Sequence, residues 1–283
     1  MLRTQPGLRV LGPSDLPDVL GLLATDPVRN VFVEYRARLT RLDPRWLGGE
    51  AWGFYDGGEL RSVCHAAANL VPVLGDDAAL AAFAHRATRR GRVCSTIVGP
   101  QDQVRVLWQS LGERWGTPRE ARWDQPHLEL AGEPAVAPDP LVRRSEQADV
   151  DALYPACVDM YTEEVGISPE WDGGRDLYRA RVNQLVSRGW SFARYEQGRV
   201  VFKAEVGSQS PSVGQIQGVW VHPDWRGHGF ARMLSALVSA RIQDRGETPF
   251  LHAYAGNEAA IRLYGQLGFE LRSEMAVQAF ALA

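Results

Sequence analysis

The stretch that decides the fold is Gly218-Val-Trp-Val-His-Pro-Asp-Trp-Arg-Gly-His-Gly-Phe-Ala231. It begins as an apolar strand, passes through a tight turn and opens a helix. Gly227 and Gly229 permit positive φ and let a ligand approach the backbone closely. Several amides then point outward at the start of a helix, where the helix dipole favours negative charge. The pattern predicts a pyrophosphate-binding loop that lacks both a Walker lysine and a dinucleotide GxGxxG.

A second stretch, Asn257-Glu-Ala-Ala-Ile-Arg-Leu-Tyr-Gly-Gln-Leu-Gly-Phe269, occupies the next helix along the chain. Taken alone, the first stretch also fits an ordinary strand-to-helix turn that contains two glycines. Together, the two stretches resemble the paired motifs of the GCN5-related N-acetyltransferases, Arg/Gln-x-x-Gly-x-Gly/Ala and Asn-x-x-Ala-x-x-Leu-Tyr-x-x-Leu-Gly-Phe. Arg226, Gly229 and Ala231 match the first motif, and the resemblance covers about residues 141–283.

The resemblance implies an α/β fold, in which a mixed sheet carries helices on both faces. Acetyl-CoA would act as co-substrate in a V-shaped opening between two central strands. In the family, the central strand pairs with the amides of pantetheine, which suits a ligand with two peptide-like groups. The side chain of Trp220 has core packing as an alternative use. The implied cofactor-binding residues are Val219, Trp220, Val221, Arg226, Gly227, His228, Gly229, Phe230, Ala231, Asn257 and Tyr264.

Length and composition define the class of protein. The chain has 283 residues, of which 45% are hydrophobic and 23% are charged, enough for two ordinary domains with real cores. A net charge of −3 gives no reason to expect nucleic acid as a partner. Cys64, Cys94 and Cys157 lie far apart and no metal-ligand spacing occurs, so we expect no metal site. Few cysteines, no apolar leader and no apolar run of ~18 residues predict a cytoplasmic protein without membrane contact.

The two halves of the chain repeat a pattern. Tyr55–Leu60 and Tyr195–Val200 both have the strand–turn–strand spacing of a hairpin. Ile97–Gly112 likewise echoes Ala253–Gly268. We therefore predict two tandem copies of one fold, with generic α/β spacing as the alternative explanation. A homodimer is a further expectation.

A segment rich in proline separates the two halves. Residues 131–140 contain three prolines and one glycine, which oppose both helix and strand. The predicted organisation is a divergent domain at residues 1–131, a linker at 132–140 and an acetyltransferase domain at 141–283.

The first half has no counterpart of the glycine loop. Asn69-Leu-Val-Pro-Val-Leu-Gly-Asp-Asp77 stands in its place, and two adjacent aspartates would repel a pyrophosphate. We interpret the first half as a degenerate copy that does not hold CoA in the family's manner. Asn69–Val73 and Phe202–Glu205 are similar to a bacterial group whose first domain is divergent.

Acetyl transfer to an amine needs a neutral amine, a polarised carbonyl and a proton for the leaving thiolate. Tyr264 matches the tyrosine that many family members use as general acid, and core packing is its alternative role. Asn257 matches a position that touches the cofactor, and a helix N-cap is its alternative. Both remain open from the sequence.

The general base is the point at which this sequence departs from the family. Many members carry a glutamate on the central strand, whereas this chain has Gln215-Ile-Gln217, and glutamine accepts no proton. Glu205 on the neighbouring strand is the predicted catalytic base. Glu163 and Glu164, in the region that shapes the acceptor pocket, are the predicted substrate-binding residues and further candidates for the base. A chain of waters is another candidate, and a solvated surface charge is the alternative for each glutamate.

These features predict an N-acetyltransferase that moves an acetyl group directly to an amine of a small-molecule or peptide acceptor. The acceptor itself is not encoded in any recognisable pattern, because fold does not fix substrate. Two alternatives remain open. The first is a CoA-binding sensor or interaction protein without catalysis, suggested by Gln215 and Gln217. The second is a transferase of a longer acyl group.

Overall fold

The computed structural model describes residues 6–227 and 229–280 and, for Phe230 and Leu234, the backbone alone. Its helices are α1 (Leu16–Leu23), α2 (Pro27–Thr40), α3 (Pro44–Leu47), α4 (Asp77–Arg90), α5 (Gln101–Trp115), α6 (Val150–Val165), α7 (Arg175–Ser187), α8 (Phe230–Gln243) and α9 (Glu258–Leu267). Its strands are β1 (Gly7–Leu11), β2 (Glu50–Asp56), β3 (Glu59–Ala66), β4 (Asn69–Val73), β5 (Thr96–Pro100), β6 (Glu120–Glu129), β7 (Arg143–Arg144), β8 (Ser191–Glu196), β9 (Arg199–Gln209), β10 (Val213–Val221), β11 (Thr248–His252) and β12 (Glu270–Ala279).

The chain divides into two compact units that do not follow its order strictly. Unit 1 contains, within the described range, residues 6–127, 252–256 and 271–280. Unit 2 contains residues 128–251 and 257–270. The predicted boundaries at residues 131, 140 and 141 remain a prediction. Helices cover both faces of a mixed sheet, which confirms the predicted α/β fold class.

The sheet of unit 1 has the strand order β1-β2-β3-β4-β5-β12-β6. The first four strands are antiparallel, β4 and β5 are parallel, and β12 runs antiparallel to β5 with Val277 opposite Val98. Side chains alternate between two cores, because successive residues of a strand face opposite ways. On β3, Val63 packs into the core with α1 and α2, whereas Cys64 packs into the core with α4 and α5.

The start of α4 in unit 1 is closed by the chain's own polar groups. Asp76 is the N-cap, and its Oδ1 accepts the Ala79 amide at 2.8 Å. The Gly75 amide donates to Oε1 of Gln103 at 3.0 Å. These bonds satisfy donors that a helix N-terminus otherwise leaves free.

The sheet of unit 2 has the order β11-β10-β9-β8-β7, in which only β10 and β11 are parallel among the described pairs. α6 and α7 cover one face, with Leu153, Cys157 and Val182 in a core against β8 and β9. α8 packs on β9 and β10. Leu237 and Val238 of α8 are buried, while the side chains of Phe230 and Leu234, at helical spacing from them, lie outside the described set.

The proline-rich segment predicted as a linker is bonded along unit 2. Gln243 donates to the Gly132 carbonyl at 2.7 Å, and the Ala135 amide donates to the Leu267 carbonyl at 2.9 Å. Asp139 is buried and accepts from Nη1 of Arg194 at 2.7 Å. A groove of about 910 Å³ runs beside this segment and the end of α8. The segment is therefore fastened at three points despite its composition.

The sequence patterns predict where strands occur better than they predict which strands are neighbours in the sheet. The hairpin predicted around Tyr195–Val200 is formed by β8 and β9. The last described strand, β12, pairs with β5 and adds to the sheet of unit 1. In the described part of the chain, the helices lack the combination of length and hydropathy that a membrane span requires.

Candidate functional site

The pairing of β10 with β11 is confined to the first part of β10. Their parallel ladder joins Val213–Gln215 to Thr248–Phe250, and the described pairing ends there. On its other edge, β10 stays paired with β9 as far as Val221. Backbone groups of β10 beyond Gln215 therefore border a gap in the ladder, which leaves them available to a ligand with peptide-like amides.

A β-bulge lies at the same place on β10. Gln217 is opposite Glu205 and Trp220 is opposite Lys203, so β10 uses one residue more than β9 over this stretch. Gly218, inside the bulge, has φ +57°. A Cβ atom on it would lie 3.1 Å from Oε2 of Glu205. Glycine alone takes this conformation without strain and leaves room for the carboxylate, so the bulge sets Glu205 against the backbone at the gap.

The loop after β10 leaves amides exposed at the start of α8. Gly227 and Gly229 have φ of +78° and +77°, and no described atom beyond their chain neighbours lies within 4 Å of where their Cβ atoms would be. Gly229 is the N-cap of α8, and no side chain caps the helix among the described residues. His228, a predicted contact, lies outside the described residues. An open, positively polarised helix terminus of this kind fits a pyrophosphate.

Arg226, at the head of this loop, is bonded to the protein itself. Its Nε donates to the Val221 carbonyl at 2.9 Å, and its Nη2 donates to both carboxylate oxygens of Glu163 at 2.8 and 3.0 Å. The indole of Trp220 also donates to Glu163, at 3.2 Å. The charges of Glu163 and Arg226 therefore offset each other, and the Val221 carbonyl already has a partner.

α9 carries the two predicted residues of the second motif. Oδ1 of Asn257 accepts the Ala260 amide at 3.0 Å, so Asn257 is the N-cap of the helix. The same side chain still carries an amide that can donate to a ligand. Tyr264 is buried, and its ring makes an edge-to-face contact with Phe269, with 5.7 Å between the ring centroids. Burial, and then the negative charge of Glu164, hold the pKa of Tyr264 well above its ordinary value, so its phenol is protonated at neutral pH.

Beneath the bulge lies a buried ion pair that the sequence motifs did not predict. The Lys203 side chain is fully buried, and its Nζ is bonded to Oε1 of Glu205 and lies 3.1 Å from Sδ of Met160. Sγ of Cys157 lies 4.0 Å from the same carboxylate oxygen. Burial alone would lower the pKa of Lys203, but Glu205, with Cys157 and Glu164, outweighs it and raises that pKa. Lys203 is therefore a buried cation that depends on Glu205.

The ion pair limits what Glu205 can do. If Glu205 took up a proton, the ammonium of Lys203 would remain buried without a compensating carboxylate. Breaking a buried pair in this way costs about 3–5 kcal/mol. The position of Glu205 at the bulge therefore suits a catalytic group, whereas its partner opposes the role of proton acceptor.

Glu164 differs from the other two acids near the gap. It is exposed at the end of α6, and among the described residues it makes no hydrogen bond or ion pair. Its charge nevertheless raises the pKa of both Tyr264 and Lys203. One unpaired carboxylate is thus within electrostatic reach of the predicted acid and of the buried pair.

The motifs did not predict Lys203 or the placement of Gln217, although each left a signal in the sequence. Lys203 and Glu205 stand two apart in the apolar strand Val200–Val206, which places both on one buried face. Gln217 lies over Gly207, whose Cβ atom would meet Oε1 of Gln217 at 2.1 Å. A charged pair at this spacing inside a buried strand indicates a buried salt bridge.

Two family matches divide the chain. Residues 203–277 match the FR47-like protein family, a segment that contains β10, the glycine loop and α9. Residues 49–153 match a domain of unknown function, DUF4081. The mycothiol acetyltransferase of Cellulomonas flavigena is 39% identical over 108 residues, which is 36% of this chain and 28% of that protein. The curated relatives that match are covered over only 18% to 28% of their length.

Solved structures show the same fold along nearly the whole chain. A GCN5-related N-acetyltransferase from Sphaerobacter thermophilus is 19% identical, with a TM-score of 0.61 over 99% of this chain and 97% of that one. A tandem GNAT protein from the clavulanic acid biosynthesis pathway is 15% identical, with a TM-score of 0.56 over 99% of this chain and 100% of that one. At these identities the likeness shows the fold alone.

Proposed function

We propose that this chain is a GCN5-related N-acetyltransferase, since its residues 203–277 match the FR47-like protein family, that it transfers an acetyl group from acetyl-CoA directly to an amine, and that unit 2 carries the site. The acceptor is a small molecule or a peptide. The observation that carries the proposal is the uncapped start of α8 next to the end of β10, at which the sheet opens. A helix terminus and a strand edge there offer the donors that a pyrophosphate and a pantetheine need.

The residues present fit the cofactor. The amides at the start of α8, from Gly229 to Ala231, would hold the pyrophosphate, because Gly227 and Gly229 both have positive φ and no described atom beyond their chain neighbours blocks the approach to them. Backbone groups of Val219 and Trp220 would pair with pantetheine, while Arg226 would keep the loop in place through Val221. When bound, acetyl-CoA supplies an acyl thioester.

Tyr264 is proposed as the general acid. Its raised pKa keeps the phenol protonated at neutral pH, so it has a proton to give to a departing thiolate.

Glu205 was predicted as the general base from the sequence, and its position at the bulge supports that role. Its bond to Lys203 opposes the role, because proton uptake would strand a buried cation. We therefore propose that Glu205 chiefly holds Lys203 and the bulge. The alternative is that Glu205 itself acts as the general base, and variants of Glu205 and Glu164 distinguish the two roles.

Two observations bear on the acceptor. Glu164 offers a negative charge to an ammonium group, and the segment after it exposes Ile167 (46%) and Trp171 (76%) to solvent. The relatives with the name mycothiol acetyltransferase make the acceptor of those enzymes the first compound to include in an assay. The proposal for this chain is limited to an amine.

The test uses the full chain with acetyl-CoA, both in calorimetry and in an assay of CoA release against a panel of amines. We expect one acetyl-CoA bound per chain and acetylation of at least one amine, with the amide product identified by mass spectrometry. Binding without turnover of any amine would favour the CoA-binding sensor. Faster turnover of butyryl-CoA than of acetyl-CoA would favour the longer acyl group. Absence of CoA binding would refute the proposal as a whole.

A further inference from the structure

We propose that Glu164 is the carboxylate that holds the acceptor's ammonium group and takes its proton, and that Lys203 commits Glu205 to a structural role. This inference rests on the proposed function and assigns within the same site the group that makes the amine nucleophilic. It distinguishes three acids whose residue type is identical and whose surroundings differ.

Two of the three acids are already engaged. Glu163 accepts two hydrogen bonds from Arg226 and one from Trp220, which leaves its charge offset. Glu205 is bonded to the fully buried Lys203. A second cation at Glu163 would share a charge that Arg226 already offsets, and one at Glu205 would disturb a buried pair.

Glu164 has the properties that the other two acids lack. It follows Glu163 on α6, so its side chain points about 100° away around the helix and clear of Arg226. In the described chain no donor bonds to it, and it is exposed to incoming solute. It lies in the last turn of α6, where free carbonyl groups add negative potential and favour a cation.

The surroundings of Glu164 link it to the reaction. α6 packs on β9 and β10, the strands that carry the ion pair and the bulge. Glu163, the preceding residue on the same helix, contacts Arg226 of the glycine loop and Trp220 of β10, and the charge of Glu164 acts on Lys203 of β9, the partner of Glu205, and on Tyr264 of α9. Glu164 thus lies in the part of α6 that borders the bulge and the glycine loop, within electrostatic reach of the predicted proton donor.

The proton balance of this step is closed. The acceptor ammonium gives one proton to the Glu164 carboxylate, which leaves a neutral amine. The amine nitrogen forms a bond to the acetyl carbonyl carbon as the carbon–sulfur bond breaks, and the leaving sulfur receives the proton of Tyr264. The oxygen of Tyr264 recovers the second proton of the nitrogen, and Glu164 releases its proton to solvent.

The experiment compares Glu164→Gln with Asp159→Asn in the full chain, using the best amine from the panel. Asp159 is an exposed acid on the same helix and forms no described ion pair, so its variant makes the same change in charge without breaking one. We expect kcat/KM at pH 7 to fall roughly 10²-fold or more for Glu164→Gln, and to stay within about two-fold for Asp159→Asn. The loss should shrink as the pH rises towards the pKa of the amine, where the substrate arrives neutral. Glu164→Asp should restore part of the rate.

The double variant Lys203→Met/Glu205→Gln removes the buried pair without stranding a charge. We expect it to lose less activity than Glu164→Gln, once unchanged acetyl-CoA affinity shows that it is folded. Normal kcat/KM for Glu164→Gln, or a loss that does not depend on pH, would overturn the inference whether or not the double variant folds. An inactive wild type would instead refute the proposed function, so the two failures are distinguishable.

Discussion

The starts of α4 and α8 show how two helix termini at related positions reach opposite outcomes. In unit 1, Asp76 caps α4 and Gln103 takes the amide of Gly75, so the donors bond within the chain. In unit 2, no described side chain caps α8 at Gly229, and no described atom beyond their chain neighbours occupies the space at the Cβ positions of the two loop glycines. A helix terminus becomes a binding site when the protein leaves its donors unsatisfied.

The neighbouring strands differ in the same sense. In unit 1, Pro72 of β4 lies over β5, where a Cβ atom on Gly99 would meet the proline ring at 3.2 Å. Proline also removes a backbone donor that a ligand would need. The parallel pairing ends before the end of the strand in both units, at Leu70 in unit 1 and at Gln215 in unit 2, so the difference is the proline that covers β5. Unit 1 thus fills the space that unit 2 keeps open.

The largest expected effect comes from closing the loop of unit 2. Gly229→Asp should abolish detectable acetyl-CoA binding in calorimetry, because a carboxylate would face the pyrophosphate at the helix start. Gly229→Asn is the matched variant, since asparagine tolerates positive φ and carries no charge, and it should retain more affinity. Tight binding by a folded Asp variant would show that acetyl-CoA does not use this loop.

The next effect concerns the chemistry that unit 2 alone is proposed to carry. Tyr264→Phe should lower turnover by roughly 10²–10⁴-fold, the range for losing a positioned acid, while the Kd for acetyl-CoA changes only a few-fold. Tyr195→Phe, which loses only a bond to Ser145, serves as the control. Equal rates for the two variants would assign Tyr264 to packing.

The stability of unit 1 should fall more steeply in acid than the stability of unit 2. Burial is the main cause that lowers the pKa of three histidines of unit 1, His65 to about 4, His127 to about 3 and His252 to about 4. Their unfolded pKa is higher, so the unfolded state binds more protons and stability falls as the pH drops from about 6.5 to about 4. Each histidine adds up to ~1.4 kcal/mol per pH unit. Denaturant midpoints across this window measure the slope, and His65→Asn should reduce it.

The smallest expected effect comes from removing the side-chain cap of α4 in unit 1. Asp76→Ala should lower the free energy of unfolding by about 1 kcal/mol, because α4 loses its N-cap. It should create no second acetyl-CoA site, since Gln103 and Pro72 still fill the space. Chemical denaturation and the calorimetric stoichiometry check both parts. Two molecules bound per chain would mean that the cap alone closes unit 1.

The parts of the site that depend on short stretches of sequence were predictable. Positive φ at Gly227 and Gly229 follows from the residue type, and the helices after them follow from apolar spacing. Asn257 is the N-cap, which was one of its two predicted roles. That geometry leaves its contact with the cofactor as a prediction, because one side chain can serve both purposes.

The parts that depend on distant pairing were not predictable. Alternation along β12 indicates a strand, but nothing in residues 270–279 specifies β5 as its neighbour. The bulge at Gly218 likewise depends on the register between β9 and β10. The isolation of Glu164 from Glu163 depends on where Arg226 points, which motif spacing does not encode.

The position of β12 in the sheet of unit 1 has a consequence for biosynthesis. Residues 6–127 leave the ribosome first, yet their sheet still lacks the strand at residues 271–279. Unit 2 must be synthesised before that strand emerges. Until then one edge of β5 lacks its partner strand, and other chains can pair with it. Ribosome-bound chains stopped before residue 270 should therefore leave β5 accessible to proteases and chaperones. The order of synthesis makes unit 1 the later of the two units to complete its fold.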